Sequence, residues 1–228
     1  LGELFVMPRL RPRQVPDRES GPAPAAAALI DLRVHLGAAR VWLGPAETQQ
    51  RDEGIPALDQ VRRSMRTVIV GPPGAGKSTF LEWLQLRTAW AEKEEDELLC
   101  GAGQAIPLLL RVRQLDPTDL PRGAALVQHA TASRDRAALM PLAWLERQMK
   151  AGRVLFMLDG LDETEPDLRD KHVLPWLAGI CRQYPDCRYL VSSRPVGYLP
   201  GSLRELEFSE CDLADFNNDQ ILQYAQHW

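Results

Sequence analysis

Residues 67–79 read Thr-Val-Ile-Val-Gly-Pro-Pro-Gly-Ala-Gly-Lys-Ser-Thr. The β-branched run ending at Val70 predicts a strand, and the amphipathic stretch from Lys77 predicts a helix. A G-x-x-x-x-G-K-[S/T] pattern between a strand and a helix cradles phosphate groups, because converging backbone N–H groups and the positive end of the helix dipole favour anions. The sequence therefore predicts a phosphate-binding loop formed by Gly71, Pro72, Pro73, Gly74, Ala75, Gly76, Lys77, Ser78 and Thr79.

Three side chains of this loop have expected roles. Lys77 should bridge the β- and γ-phosphates, the hydroxyl of Ser78 should ligate Mg²⁺, and Thr79 should lie near the α-phosphate. The alternative is a glycine-rich turn that carries a lysine by chance. It is disfavoured because the strand, the spacing and the helix all agree with the phosphate-binding pattern.

From Thr67 onward, short aliphatic runs alternate with longer amphipathic stretches, which is typical of β-α-β units and a parallel sheet. We predict a three-layer α/β fold with a central parallel five-stranded sheet flanked by helices. The predicted strands are 67–70, 106–112, 154–158 and 189–192, with a weaker fifth at 203–208. The predicted helices are 25–43, 57–64, 77–92, 137–151, 168–184 and 215–227.

An acidic segment follows the apolar run 154–158. Asp159 ends this strand, so its carboxylate should lie at the carboxyl edge of the sheet and serve as the protein ligand of Mg²⁺ with Ser78. Asp162 and Glu163 follow within one turn, and either could act as the general base that polarises a water toward the γ-phosphate. Solvent-facing loop acids are the alternative, and the residues alone do not decide which of the two is the base.

A third segment, Arg188-Tyr-Leu-Val-Ser-Ser-Arg-Pro195, is a strand that turns polar at its end. Arg194 should therefore lie on the same sheet edge as the nucleotide. A guanidinium there could sense the γ-phosphate and stabilise the charge that develops during transfer. A surface arginine is the simpler interpretation of this residue taken alone.

Taken together, three stretches resemble the Walker A, extended Walker B and sensor 1 motifs of the NACHT domain, in the STAND class of P-loop ATPases. They are GPPGAGKST at 71–79, LFMLDGLDE at 155–163 and YLVSSRP at 189–195. The resemblance implies a P-loop NTPase fold and an ATP- or ADP-bound signalling switch with slow hydrolysis that self-associates through this domain. It also implies effector and sensor domains outside this chain, in innate immunity or antiphage defence.

The resemblance suggests three regions. They are an N-terminal arm, linker and helix at 1–56, the nucleotide-binding domain at 57–208, and the start of a following helical subdomain, truncated, at 209–228. By the same resemblance, residues 4–8 correspond to the segment near the adenine. A chain that opens at Leu1 without a leader looks like a piece of a longer polypeptide.

Composition narrows the class of protein. The chain has 228 residues, 45% hydrophobic and 25% charged, which is typical of a globular domain, and a net charge of −4 makes nucleic acid an unlikely direct partner. Four cysteines without a C-x-x-C pair fit a reducing cytoplasm, and no apolar run approaches the length of a membrane span. The segment that begins at Leu4 is expected to be a strand or arm followed by a loop. Arg9, Arg11 and Arg13 could contact nucleic acid or a partner's acidic face, and a solvated arm is the favoured interpretation.

Other nucleotide-binding classes are less consistent with these motifs. The N-K-x-D sequence of GTPases and the LSGGQ-like signature of ABC ATPases are missing. A P-loop kinase of small molecules remains a weaker alternative, since it does not need the Asp162 and Glu163 pair. A nucleotide-gated assembly scaffold without significant hydrolysis is the stronger one.

Overall fold

A computed structural model of the chain describes residues 5–13, 54–90, 105–123, 125–130, 141 and 143–226. The helix predicted over 25–43 lies outside these residues. None of the helices in the described ranges is both long enough and apolar enough to cross a membrane.

The centre of the structure is a seven-stranded sheet with the order β2-β1-β7-β3-β6-β5-β4. The five strands from β7 to β4 are parallel, and β1 and β2 add an antiparallel edge. The strands are β1 (Arg9–Pro12), β2 (Ile55–Pro56), β3 (Arg66–Val70), β4 (Ile106–Arg111), β5 (Val154–Asp159), β6 (Arg188–Ser193) and β7 (Ser209–Leu213).

Helices cover both faces of this sheet. They are α1 (Ala57–Arg63), α2 (Lys77–Trp90), α3 (Ala125–Ala130), α4 (Trp144–Lys150), α5 (Pro166–Leu168), α6 (Leu174–Gln183) and α7 (Asn218–Gln226). A π-helical turn, Arg169–Val173, joins α5 to α6.

Two apolar cores lie on opposite faces of the sheet, because alternate residues of a strand point to opposite sides. On one face Ile69 and Leu155 pack with Leu81 and other residues of α1 and α2. On the other face Val68 and Phe156 belong to the core that includes residues of α3, α4 and α6. The central strands are buried on both faces, as parallel sheets require. The predicted three-layer α/β architecture with five parallel strands is confirmed.

The predicted fifth strand at 203–208 is wrong. Leu203 and Leu206 are buried, but Leu203 precedes and Leu206 ends a short 3₁₀ turn, Arg204–Leu206, and Glu207 follows in the left-handed conformation with φ of 59°. The actual strand is β7, where acidic Glu210 and Asp212 alternate with Cys211 and Leu213. Because two of its five residues are acidic, this segment was not recognised as a strand from the sequence.

The prediction of a solvated arginine arm at residues 9–13 is also wrong. Arg9 to Pro12 form β1, which lies between β2 and β7 with Leu10 fully buried. Arg13 forms an ion pair with Asp212 of 2.9 Å, and Arg9 donates to the carbonyl oxygen of Gly54. The sheet therefore extends beyond both ends of the range 57–208 predicted for the nucleotide-binding domain.

The other predicted elements differ from the structure mainly at their ends. The strand predicted over 106–112 is β4, which ends at Arg111, and Val112 begins a 3₁₀ turn. The helix predicted over 137–151 is present as α4 from Trp144, and residues 131–140 are outside the described ranges. The helix predicted over 168–184 is interrupted by the π-helical turn before α6.

Candidate functional site

The glycine-rich loop joins β3 to α2, as the sequence predicts. Gly74 and Gly76 have positive φ of 74° and 92°, a conformation that residues with a Cβ adopt only at a cost. Gly71 is different, because a Cβ there would lie 3.0 Å from the Cβ of Leu213. The first glycine therefore allows close packing against β7, and the other two allow the turn.

The amine of Lys77 turns back onto its own loop. It donates to the carbonyl oxygens of Gly71 and Pro72, at 2.6 and 2.9 Å. Burial lowers the pKa of Lys77; the Asp162 carboxylate raises it, Arg194 lowers it and Asp159 raises it. The net pKa of Lys77 is lowered, with burial as the main cause. Ser78 and Thr79 are exposed at the start of α2.

Asp159 ends β5 next to β6, and Ser192 of β6 holds it in place. The hydroxyl of Ser192 donates to Oδ1 of Asp159 at 2.5 Å and accepts the backbone N–H of Gly160 at 2.9 Å. Asp159 is only 9% exposed, and Ser192 is buried. One buried hydroxyl therefore fixes both the carboxylate and the turn that follows it.

The turn after Asp159 brings two further acids back to the sheet edge. Gly160 is left-handed with φ of 79° and ψ of 52°, and the 3₁₀ turn Leu161–Glu163 begins directly after it. A Cβ on Gly160 would lie 2.7 Å from the carboxylate carbon and from Oε2 of Glu163. The glycine thus allows the Glu163 carboxylate to lie over the backbone of residue 160.

Asp162 and Glu163 have different surroundings. Oδ1 of Asp162 accepts the backbone N–H of Arg194 at 2.9 Å, and Oδ2 lies 3.1 Å from Nε of the same residue. The Asp162 side chain is 9% exposed, whereas that of Arg194 is 49% exposed. Glu163 is exposed. Asp162 is therefore engaged at both oxygens, and Glu163 presents its carboxylate to solvent at the pocket.

One pocket of about 200 Å³ collects most of the predicted site residues. Its walls include Ser78, Asp159, Glu163 and Arg194, together with Lys77, Thr79, Asp162 and three loop residues, Pro73, Gly74 and Gly76. Three predicted loop residues, Gly71, Pro72 and Ala75, do not line this pocket. Ser192 lines the pocket and was missed by the sequence analysis, although the polar end of β6 was visible.

A second cavity of about 470 Å³ adjoins the loop on the side of Ala75 and Thr79. Its apolar walls come from two segments far apart in the chain: Phe5, Val6 and Pro8 on one side, and Ala214 and Phe216, with Asp215, on the other. The ring of Phe5 stacks on Trp83 of α2 at 4.5 Å between centroids. Gln220 of α7 donates to the carbonyl oxygen of Met7 at 2.7 Å. This cavity has the size and apolar lining of a site for a flat base.

The metal-binding potential of the site lies in oxygen donors. Among the described residues, no group of three or more His, Cys, Asp and Glu side chains is arranged to hold a metal ion. Mg²⁺ does not require such a cage, because it usually binds one or two protein oxygens together with substrate phosphates and water. The pocket shared by the Ser78 hydroxyl and the Asp159 carboxylate fits this donor set.

Comparison with known proteins agrees with this geometry. The sequence model of the NACHT domain matches residues 65–228, which is most of the chain. No curated protein matches the chain.

Proposed function

The chain belongs to the NACHT domain family, a family of nucleotide-binding P-loop NTPase modules, and from this premise we propose that it is a magnesium-dependent ATP switch with slow hydrolysis. The observation that carries the proposal is the pocket in which Lys77, Asp159, Glu163 and Arg194 meet. A phosphate loop alone serves many reactions. A buried carboxylate, an exposed carboxylate and a guanidinium at the same sheet edge are what γ-phosphate chemistry needs.

In this proposal the two cavities divide the nucleotide between them. The phosphates bind at the loop, and the base enters the apolar cavity between the arm at residues 5–8 and the segment before α7. Thr79 lines both cavities, so the α-phosphate would lie beside it. Ser78 and Asp159 would hold Mg²⁺, which when bound supplies positive charge against the phosphates.

We assign the general base to Glu163. Its exposed carboxylate would accept the proton of a water whose oxygen attacks the γ-phosphorus, and the bond from that phosphorus to the bridging oxygen breaks, so the electron pair leaves with ADP. Asp162 is less suited to this task because Arg194 engages both of its oxygens. Asp162 instead holds Arg194, and Lys77 and Arg194 would stabilise the negative charge on the γ-phosphoryl oxygens.

The signalling part of the proposal rests on the family resemblance. We propose that this domain self-associates in the full-length protein when nucleotide changes, in the cytoplasm, and that effector and sensor domains outside this chain use that assembly for innate-immune or antiphage signalling. Buried free thiols at Cys181, Cys187 and Cys211 fit a reducing compartment.

The first test is to purify the chain, denature it and identify any released nucleotide by chromatography, with Lys77→Ala in parallel. We expect ADP or ATP from the wild type and none from the variant. The second test is ATP turnover with and without Mg²⁺ for the wild type and Glu163→Gln, which should bind ATP and fail to hydrolyse it.

Three results would count against parts of the proposal. A wild type that neither carries nor binds ATP or ADP with Mg²⁺ would remove the nucleotide switch. Binding without turnover would favour the gated scaffold, and phosphate transfer to an added small molecule would favour a kinase. If Asp162→Asn loses turnover while Glu163→Gln retains it, the base is Asp162.

A further inference from the structure

The loop that follows β6, residues 194–201, packs directly on the acidic turn of the nucleotide site. A Cβ on Gly197 would lie 2.2 Å from the Cβ of Asp162 and 2.9 Å from its Cα. A contact this close is possible only for a residue without a side chain. The position of Asp162 therefore depends on where this loop lies, in addition to its two contacts with Arg194.

Arg169, on the π-helical turn, holds the middle of this loop. Its Nη1 donates to the carbonyl oxygen of Gly197, and its Nε pairs with Asp170 at 2.7 Å. The Arg169 side chain is only 12% exposed. A largely buried guanidinium that is held at one nitrogen and donates from another gives the loop a fixed point close to Asp162.

A second buried contact holds the far end of the loop. Oε1 of Glu210 accepts the hydroxyl of Tyr198 at 2.7 Å and the backbone N–H of Gly201 at 2.8 Å. Glu210 lies on β7 and is 8% exposed. β7 is followed directly by Ala214, Asp215 and Phe216, which line the cavity proposed for the base. This contact therefore joins the loop to the other half of the proposed nucleotide site.

We propose that Arg169 is a positioning residue for the γ-phosphate end of the site, which holds Gly197 against Asp162 and thereby sets the geometry of the Asp162–Arg194 pair. Arg169 does not line the phosphate pocket, so it acts through the loop. Tyr198 and Glu210 support the same loop from its other end. This inference rests on the proposed function, since it concerns how that site tells ATP from ADP.

The chemistry predicts a selective defect. In the proposed binding mode the P-loop holds the phosphates that ATP and ADP share, and Arg194 and Asp162, which line the same pocket, face the γ-phosphate that ADP lacks. Loss of the Arg169 contact should therefore weaken interactions with ATP and with the transition state and leave ADP binding unchanged. A displacement of catalytic groups by about 1 Å costs on the order of a hundredfold in rate.

The experiment compares Arg169→Met, which removes the donors and keeps much of the stem, with Arg169→Lys, which keeps one cationic donor. Arg182→Met is the matched control, because Arg182 is exposed on α6 of the same helical segment. Affinities for fluorescent ADP and for a slowly hydrolysed ATP analogue are measured with Mg²⁺, together with kcat and KM for ATP. Thermal unfolding verifies that each variant is folded.

We expect Arg169→Met to lower kcat about ten- to a hundredfold and to weaken the ATP analogue about tenfold, with ADP affinity within about twofold of wild type. Arg169→Lys should recover most of this loss, and Arg182→Met should behave as wild type. Tyr198→Phe, which removes one hydroxyl, should also weaken the ATP analogue more than ADP, by a smaller factor than Arg169→Met does.

An equal loss of ADP and ATP-analogue affinity in Arg169→Met, or no loss of either, would overturn the inference while the nucleotide switch stands. If Arg169→Met fails to fold, Tyr198→Phe provides the test. A selective loss of ATP-analogue affinity over ADP affinity would support the inference, and an equal loss or no loss would overturn it. If the wild type binds neither nucleotide, the proposed function fails and this inference fails with it, a result seen before any variant is compared.

Discussion

Replacing Gly160 by alanine tests whether Glu163 is the base. The substitution has two separable effects in the structure. Residue 160 has φ of 79°, so any Cβ brings backbone strain, and this Cβ would also lie 2.7 Å from the Glu163 carboxylate. The strain lowers the free energy of unfolding by about 1–2 kcal/mol. The clash forces the carboxylate away from the backbone on which it lies.

Gly123→Ala is the matched control. Its φ of 53° gives comparable strain, and a Cβ there would meet no atom within 4 Å. Both variants should therefore lose about 2–8 °C of melting temperature, from the same backbone strain. Only Gly160→Ala should lose ATP turnover, by about ten- to a hundredfold, because only there does the base move.

The assays are thermal unfolding and single-turnover hydrolysis of ATP with Mg²⁺. Equal stability losses with a turnover defect confined to Gly160→Ala would support Glu163 as the base. If Gly160→Ala loses the expected stability and hydrolyses ATP like the wild type, the position of the Glu163 carboxylate does not matter for the chemistry and the reasoning is refuted.

Two further predictions concern buried groups. Ser192→Ala removes the hydroxyl that contacts Asp159 and Gly160, so we expect a loss of about 1–3 kcal/mol in unfolding free energy and weaker Mg²⁺-dependent ATP binding. Ser193→Ala is the control, and an equal dependence of ATP binding on Mg²⁺ in both variants would contradict the prediction. Burial raises the pKa of the Cys181 thiol to about 12 and those of Cys187 and Cys211 to about 11. At pH 8 these three cysteines should therefore react with an alkylating agent far more slowly in the native protein than in denaturant, with native rates rising as pH approaches 11; mass mapping of the labelled peptides verifies this, and fast native labelling of any of the three would disprove it.

The sequence predicted the fold where local pattern and burial agree. β3, β5 and β6 each contain a continuous apolar run, and each prediction was within one residue of the observed ends. The sequence failed at β7, because Glu210 is stabilised by Tyr198 and Asp212 by Arg13, and no local pattern shows these partners, which lie 12 and 199 residues away. It failed at β1 for a different reason: Leu10 is the only fully buried residue of the strand, and the arginines on either side of it read as a solvated arm.

The site was predictable to the extent that its residues occur in short motifs. The loop, the acidic turn and Arg194 each follow a strand, so parallel topology brings them to one edge. The cavity of about 470 Å³ beside the loop was less predictable, because its walls combine residues 5–8 with residues 214–216 and neither segment carries a motif. The sequence suggested only that residues 4–8 lie near the adenine.

The structure also explains why the acidic motif has its particular spacing. An acid directly after Asp159 would occupy position 160, where the backbone is left-handed and Glu163 lies over it. With glycine at 160, the 3₁₀ turn carries Asp162 to Arg194 and Glu163 back over the turn, so Asp162 is engaged by Arg194 and Glu163 stays exposed at the pocket. Because the surroundings of the two acids differ, we expect different defects from their substitution. Asp162→Asn should weaken the preference for ATP over ADP, and Glu163→Gln should trap bound ATP.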